Sequence, residues 1–147
     1  MVRRVGIAQA LLGNPKIIIF DEPTVGLDPE ERLRFKNIIK DIENKDRTVI
    51  LSTHILEDVE ACCNKIIVMD EGTILKIGTP VDIAKCAENK VFECPYSDIG
   101  NYKNSSIVKH FDKDSVSMCR FITNEKTDLE SLQPTIEDGY LCLIKGL

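Results

Sequence analysis

Two adjacent carboxylates, Asp21 and Glu22, close the apolar run Ile17-Ile18-Ile19-Phe20. Such a run between turn residues has the pattern of a strand buried on both faces of a parallel sheet, and ligands bind at the carboxyl ends of strands in open α/β sheets. Charge at that place calls for a cation or a substrate. The pair suits nucleotide hydrolysis. Asp21 can hold Mg²⁺ through water, and Glu22 can accept a proton from an attacking water, a role that supplies ~10²–10⁴ in rate. Pro23-Thr24-Val25-Gly26-Leu27-Asp28-Pro29 follows at once, and His54 lies just beyond a second β-branched run, Thr48-Val49-Ile50-Leu51-Ser52. Two parallel strands deliver Asp21, Glu22 and His54 to one sheet edge, where an imidazole can hydrogen-bond a γ-phosphate. Each feature also has a plainer reading, Asp-Glu as turn chemistry and His54 as an ordinary residue at a helix start.

The elements that must position these residues follow from periodicity. Residues 3–12 read as a short helix closed by Gly13-Asn14-Pro15. Asp28-Pro29-Glu30-Glu31 predicts a helix start with an Asp N-cap, Pro at the first position and Glu completing a capping box. Phe35, Ile38, Ile39 and Ile42 then form a face that packs on the sheet, and Asn44-Lys45-Asp46 ends the helix. A helix over 56–63 follows His54. Strand, helix, strand, helix implies right-handed crossovers and a parallel sheet. Strands over 65–70 and 73–77 flank Glu71-Gly72 as a hairpin, and Gly78-Thr79-Pro80 opens a helix reaching residue 87. Beyond residue 89 the texture changes to shorter β-like runs (91–94 and 116–123), polar joins over 101–106 and a helical piece near 128–132. The expected boundary is at 88–90, with residues 1–88 forming one α/β domain and residues 89–147 a small α+β appendage.

The 147 residues carry 19 Lys and Arg against 24 Asp and Glu, and the basic residues are scattered, which argues against a nucleic-acid surface. Apolar runs stop far short of the ~18–20 residues of a membrane span. The six cysteines, at 62, 63, 86, 94, 119 and 142, form no CxxC pair and no ligand spacing with His54 or His110, so they read as reduced, buried or half-buried fillers.

Together these residues resemble the nucleotide-binding subunits of ATP-binding cassette (ABC) transporters. Arg4-Val5-Gly6-Ile7-Ala8-Gln9-Ala10-Leu11 is similar to the helix after their signature sequence, Ile17-Ile18-Ile19-Phe20-Asp21 to Walker B, Gly26-Leu27-Asp28 to the D-loop and Ser52-Thr53-His54 to the switch-histidine loop. The resemblance extends to about residue 84. It implies that Asp21 assists Mg²⁺, Glu22 is the catalytic glutamate, His54 contacts the γ-phosphate of ATP, and Asp28 works across the interface of a head-to-tail dimer with a second ABC ATPase subunit. A transmembrane permease subunit is the other implied partner, and the implied location is cytoplasmic, at the inner face of the cell membrane. Pro134-Thr135-Ile136-Glu137-Asp138 resembles a segment near the end of bacterial ABC-2 exporter ATPases; Gly139 departs from the apolar residue usual there, so a weaker last helix is expected.

The phosphate-cradling G-x-x-x-x-G-K-[ST] loop does not occur, since no two of the eight glycines stand five positions apart. Q-loop and Leu-Ser-Gly-Gly sequences are absent as well, and Met1 falls at the fifth signature position. The expectation is a partial P-loop NTPase (RecA-like) sheet without its P-loop strand, which belongs between strands 48–52 and 65–70, in a truncated chain with exposed strand edges and no ATPase activity of its own. The alternative is a non-catalytic half-domain that pairs with and modulates an intact ABC ATPase. Chromosome-maintenance and translation-associated ATPases share these motifs, but the acidic balance, the lack of coiled-coil heptads and the exporter-like ending stand against them.

Overall fold

The structure, a computed structural model, describes residues 2–43 and 47–147; Met1 and the expected helix stop at Asn44-Lys45-Asp46 lie outside them. The chain forms two compact units, residues 1–63 and 64–147. The boundary expected at 88–90 from the change in texture thus falls within the second unit.

In the first unit, α1 (Val2–Leu11) ends at Gly13 and Asn14, both with positive φ, and leads into β1 (Ile17–Asp21). Next come α2 (Pro29–Glu43), β2 (Thr48–Ser52) and α3 (Leu56–Cys62). β1 and β2 pair in parallel, with Ile19 beside Ile50 and Asp21 beside Ser52. The apolar stripe of α2 packs as its spacing predicts: Phe35, Ile39 and Ile42 join Ile18 and Phe20 in one core, bordered by Ile7, Leu11, Val49 and Leu51. The Phe20 and Phe35 rings meet edge to face, centroids 5.4 Å apart.

The expectation that β1 is buried on both faces is corrected. Ile18 and Phe20 point into the core, whereas Ile17 and Ile19 are 63% and 67% exposed. The helices of this unit cover one face of the sheet only.

The second unit begins with the antiparallel hairpin β3 (Ile66–Asp70) and β4 (Thr73–Gly78), turned through Glu71 and Gly72 at φ 45° and 77° as its turn chemistry predicts. β3 pairs with β4 and not with β2, so the described strands form two two-stranded sheets and one three-stranded sheet. Thr79 caps α4 (Pro80–Ala84) through a full capping box with Asp82, and a 3-10 turn continues it to residue 87. The three-stranded sheet follows the order β5-β7-β6, from β5 (Val91–Pro95), β6 (Ser105–Lys113) and β7 (Val116–Thr123). Val91 and Ile122 pack with Cys142 on one face; Phe92, Cys94, Cys119 and Phe121 fill the other. The last helix, α5 (Ile136–Lys145), closes the chain.

Two local expectations fail here. Residues 101–106 are not all polar join, because β6 begins at Ser105, and its bulge between Ile107 and Lys109 breaks the period-two pattern that would reveal it. Residues 128–132 hold no helix; Thr127 turns that segment back by accepting from the Leu129 N–H, and Leu132 N donates to the Val91 carbonyl.

No disulfide joins any of the six cysteines. Burial in the sheet, with Cys119 as neighbour, pushes the Cys94 thiol up to about 12, which makes it an inert filler.

Candidate functional site

The parallel pairing of β1 with β2 brings their carboxyl ends to one edge, and with them Asp21, Glu22 and His54. The ladder continues one residue past the strand through Glu22 N to Ser52 O at 3.0 Å. Ser52 Oγ donates to Asp21 Oδ1, tying the acidic end of β1 to the tip of β2. Glu22 turns the chain sharply, at φ 45°, a left-handed conformation costly for a side chain that lacks glycine's freedom. That turn lets its carboxylate reach across to the next loop, where Glu22 Oε1 lies 2.8 Å from His54 Nδ1. The other carboxylate oxygen, Oε2, is buried and without a hydrogen-bond partner. A buried oxygen left without a partner gains from any donor brought to it.

With Nδ1 engaged by Glu22, the neutral ring donates to that carboxylate and keeps Nε2 as an acceptor; a protonated ring donates from both nitrogens. Asp28 takes a different place. Its Oδ1 accepts from the Glu31 N–H at 2.8 Å, so it is the N-cap expected for α2. Glu31 does not return the bond of a capping box; its carboxylate pairs with Arg4 of α1.

A second contact, from the loop after β1 to the first turn of α3, went unrecognised in the sequence. Thr24, two residues after Glu22, donates from Oγ1 to Asp58 Oδ2 at 2.5 Å, and Lys36 Nζ of α2 lies 3.0 Å from Asp58 Oδ1. Thr24 and Asp58 are both 1% exposed. Burial alone raises the Asp58 carboxyl, but the bonds from Thr24 and Lys36 and the positive charges of Lys36 and Arg32 outweigh it and hold the group below the usual carboxylate range. Asp58 occupies a polar position of a short helix, and nothing in residues 56–62 alone announces that it is buried.

Among the described residues no cluster of three or more His, Cys, Asp or Glu could hold a metal by itself. Mg²⁺ is ordinarily held by one or two carboxylates together with phosphate oxygens and water, and the exposed Asp21 at the strand end fits that partial role. No described helix is long and apolar enough to cross a membrane.

Over 56–60% of its length the chain is similar to ATP-binding proteins of ABC transporters. It is 40% identical over 83 residues to the linearmycin resistance ATP-binding protein LnrL of Bacillus subtilis, covering 56% of this chain and 27% of that protein. To the energy-coupling factor transporter ATP-binding protein EcfA2 it is 47% identical over 87 residues in Caldanaerobacter subterraneus, covering 58% of this chain and 30% of the relative. The same protein of Clostridioides difficile matches at 42% over 90 residues, or 60% and 31% of the two chains. Among solved structures, an ABC transporter described as of metal-chelate type, in an inward-facing conformation, matches 82% of this chain and 45% of its own at a TM-score of 0.50 and 18% identity, a likeness of fold. The chain thus spans between a quarter and a third of the length of these curated relatives. No protein-family model matches it.

Proposed function

We propose that residues 1–88 are the later part of the ATPase domain of an ABC transporter motor subunit, and that residues 89–147 are its C-terminal accessory extension. The matches of 83, 87 and 90 residues have the length of the first segment. The complete subunit is cytoplasmic, sits against the inner face of the membrane on a transmembrane permease, and pairs head to tail with a second ABC ATPase subunit. Export is the direction favoured by the Pro134-Thr135-Ile136-Glu137-Asp138 segment.

The observation that carries the reading is the Glu22–His54 pair beside Asp21 at one sheet edge. In a complete site, Asp21, steadied by Ser52, would offer its carboxylate to Mg²⁺, which would supply charge neutralisation for the phosphates of ATP. Glu22 takes the proton of the attacking water on Oε2, the oxygen left unpaired here, while His54 holds Oε1 and so fixes the carboxylate plane. Asp28, as the cap of α2, fixes the loop that faces the second subunit.

The chain alone, without a phosphate-cradling loop, does not turn over ATP. Fused behind the P-loop and signature segment of a relative such as EcfA2, it gives Mg²⁺-dependent ATPase activity that Glu22→Gln lowers by ~10²–10⁴. A folded, nucleotide-binding fusion with no turnover, or with turnover indifferent to Glu22→Gln, overturns the assignment. The half-domain reading is favoured by the open apolar face of β1 and β2, which suits pairing with an intact ABC ATPase. Stable co-elution with such a protein, without turnover by the fusion, would decide for it.

A further inference from the structure

The two loops that carry Glu22 and His54 are tied twice. At the rim, Glu22 Oε1 and His54 Nδ1 stand 2.8 Å apart with half-exposed to exposed side chains. Beneath them, Thr24 and Asp58 make a second, fully buried tie. Thr24 follows Glu22 by two residues and Asp58 follows His54 by four, so the lower bond spans the same gap as the upper one. The lower tie is the stiffer of the two. An exposed pair competes with water, whereas a buried, charge-assisted hydrogen bond has no competitor and leaves an orphaned carboxylate if it opens. Asp58 does not stand alone: Lys36 supplies its counter-charge from α2 and also donates to the Glu57 carbonyl at 3.4 Å, so α2 anchors the start of α3. The charged and polar groups facing Asp58 are therefore Thr24 from the loop after β1, with Lys36 and Arg32 from α2.

We propose that Thr24 and Asp58 are positioning residues that set the Glu22–His54 geometry, with Lys36 as the charge that lets Asp58 stay buried and ionised. The inference rests on the reading of Glu22 and His54 as the reacting pair, but its test does not pass through ATP turnover. Neither Thr24 nor Asp58 touches the reacting groups. Their effect travels through two residues of loop on one side and one turn of helix on the other, and the strained φ of Glu22 gives the loop a reason to relax once the brace is cut.

The test reads the pair directly in the 147-residue chain. Glutamate is labelled with carbon-13 at the side-chain carboxyl, and the Glu22 signal is assigned by its loss in Glu22→Gln. Replacing His54 with Ala then moves the Glu22 signal by an amount that measures their contact. In Thr24→Val, which keeps the shape and removes the hydroxyl, the shift caused by His54→Ala is expected to fall to less than about half, and Thr24→Ser is expected to restore it. A purely structural brace would lower the melting temperature of Thr24→Val and leave the His54-dependent shift of the folded protein unchanged, and that result overturns the proposal. If Thr24→Val gives no cooperative melt, Asp58→Asn takes its place. Asparagine still fits but accepts the hydroxyl without a full charge, so the shift should again drop; a full-sized shift there counts equally against the inference. Turnover by the fusion protein is a separate measurement, so either idea can fail without the other.

Discussion

Asp138 has no contact with water, yet it is charged. Burial raises its carboxyl, but the Arg120 guanidinium and the Thr135 backbone and hydroxyl donors hold it below the usual carboxylate range. Arg120 reaches it from Nε at 3.0 Å and from the terminal nitrogen at 2.7 Å, and also donates to the Gln133 carbonyl at 2.8 Å and to Glu93 at 3.3 Å. The Asp138 interaction in turn raises the Arg120 pKa. The Thr-Ile-Glu-Asp sequence is thus a capping box whose carboxylate doubles as the partner of a buried cation. Because the folded pKa of Asp138 lies below its unfolded value, its contribution is present above about pH 4 and is lost as pH falls through the depressed folded value. Asp58 has the same sign. Unfolding followed against pH should therefore steepen below about pH 4. Asp138→Ala, which strands Arg120, should cost about 3–5 kcal/mol at neutral pH and flatten that acid limb. A variant as stable as the parent at pH 7 would refute the hub.

At the scale of elements, Gly139 reverses its sequence-based expectation. It reads as a weak point in the last helix, but a Cβ built on it would lie 1.9 Å from the Ile83 carbonyl oxygen and 2.9 Å from Ala84 Cα. Glycine here permits α4 and α5 to touch backbone to backbone. Gly139→Ala should therefore destabilise by about 1–3 kcal/mol or more through overpacking, although alanine is the better helix former by ~1 kcal/mol; a thermal melt decides the sign. The case shows where sequence stops being legible. Periodicity, capping residues and turn pairs revealed α2, both strands of the first hairpin, α4 and β7 because those signals are local. Missed were β6, whose bulge scrambles its alternation, the buried brace at Asp58, and the close approach at Gly139. The last two depend on partners distant in the chain: Thr24 and Lys36 for Asp58, Ile83 for Gly139. At the candidate site, the meeting of Asp21, Glu22 and His54 at one sheet edge was legible because strand ends announce themselves, whereas the left-handed turn of Glu22 and its unpaired oxygen were not.

Across the whole molecule, the first unit leaves Ile17, Ile19 and Ile50 at least half exposed on one sheet face, and the second leaves Ile67, Met69 and Ile77 half exposed on its hairpin. Apolar residues of this size lie open on a sheet when the face is built to be covered, and a short sheet with free edges invites self-association. Under the function proposed above, the burial on both faces read from the sequence of β1 would belong to a complete subunit, and the one-sided burial observed to this chain. The two states respond oppositely to one substitution. In the 147-residue chain, Ile19→Lys should change the melting temperature little, since exposed substitutions usually stay within about 0.5 kcal/mol, while it reduces light scattering and dye binding. In the fusion to the P-loop and signature segment of a relative, the proposal has the same lysine buried without a partner, and the cost should rise to several kcal/mol with loss of folded protein. Equal, small effects in both proteins would mean that the face stays open in the complete subunit, and would leave its apolar character to be explained by a separate partner.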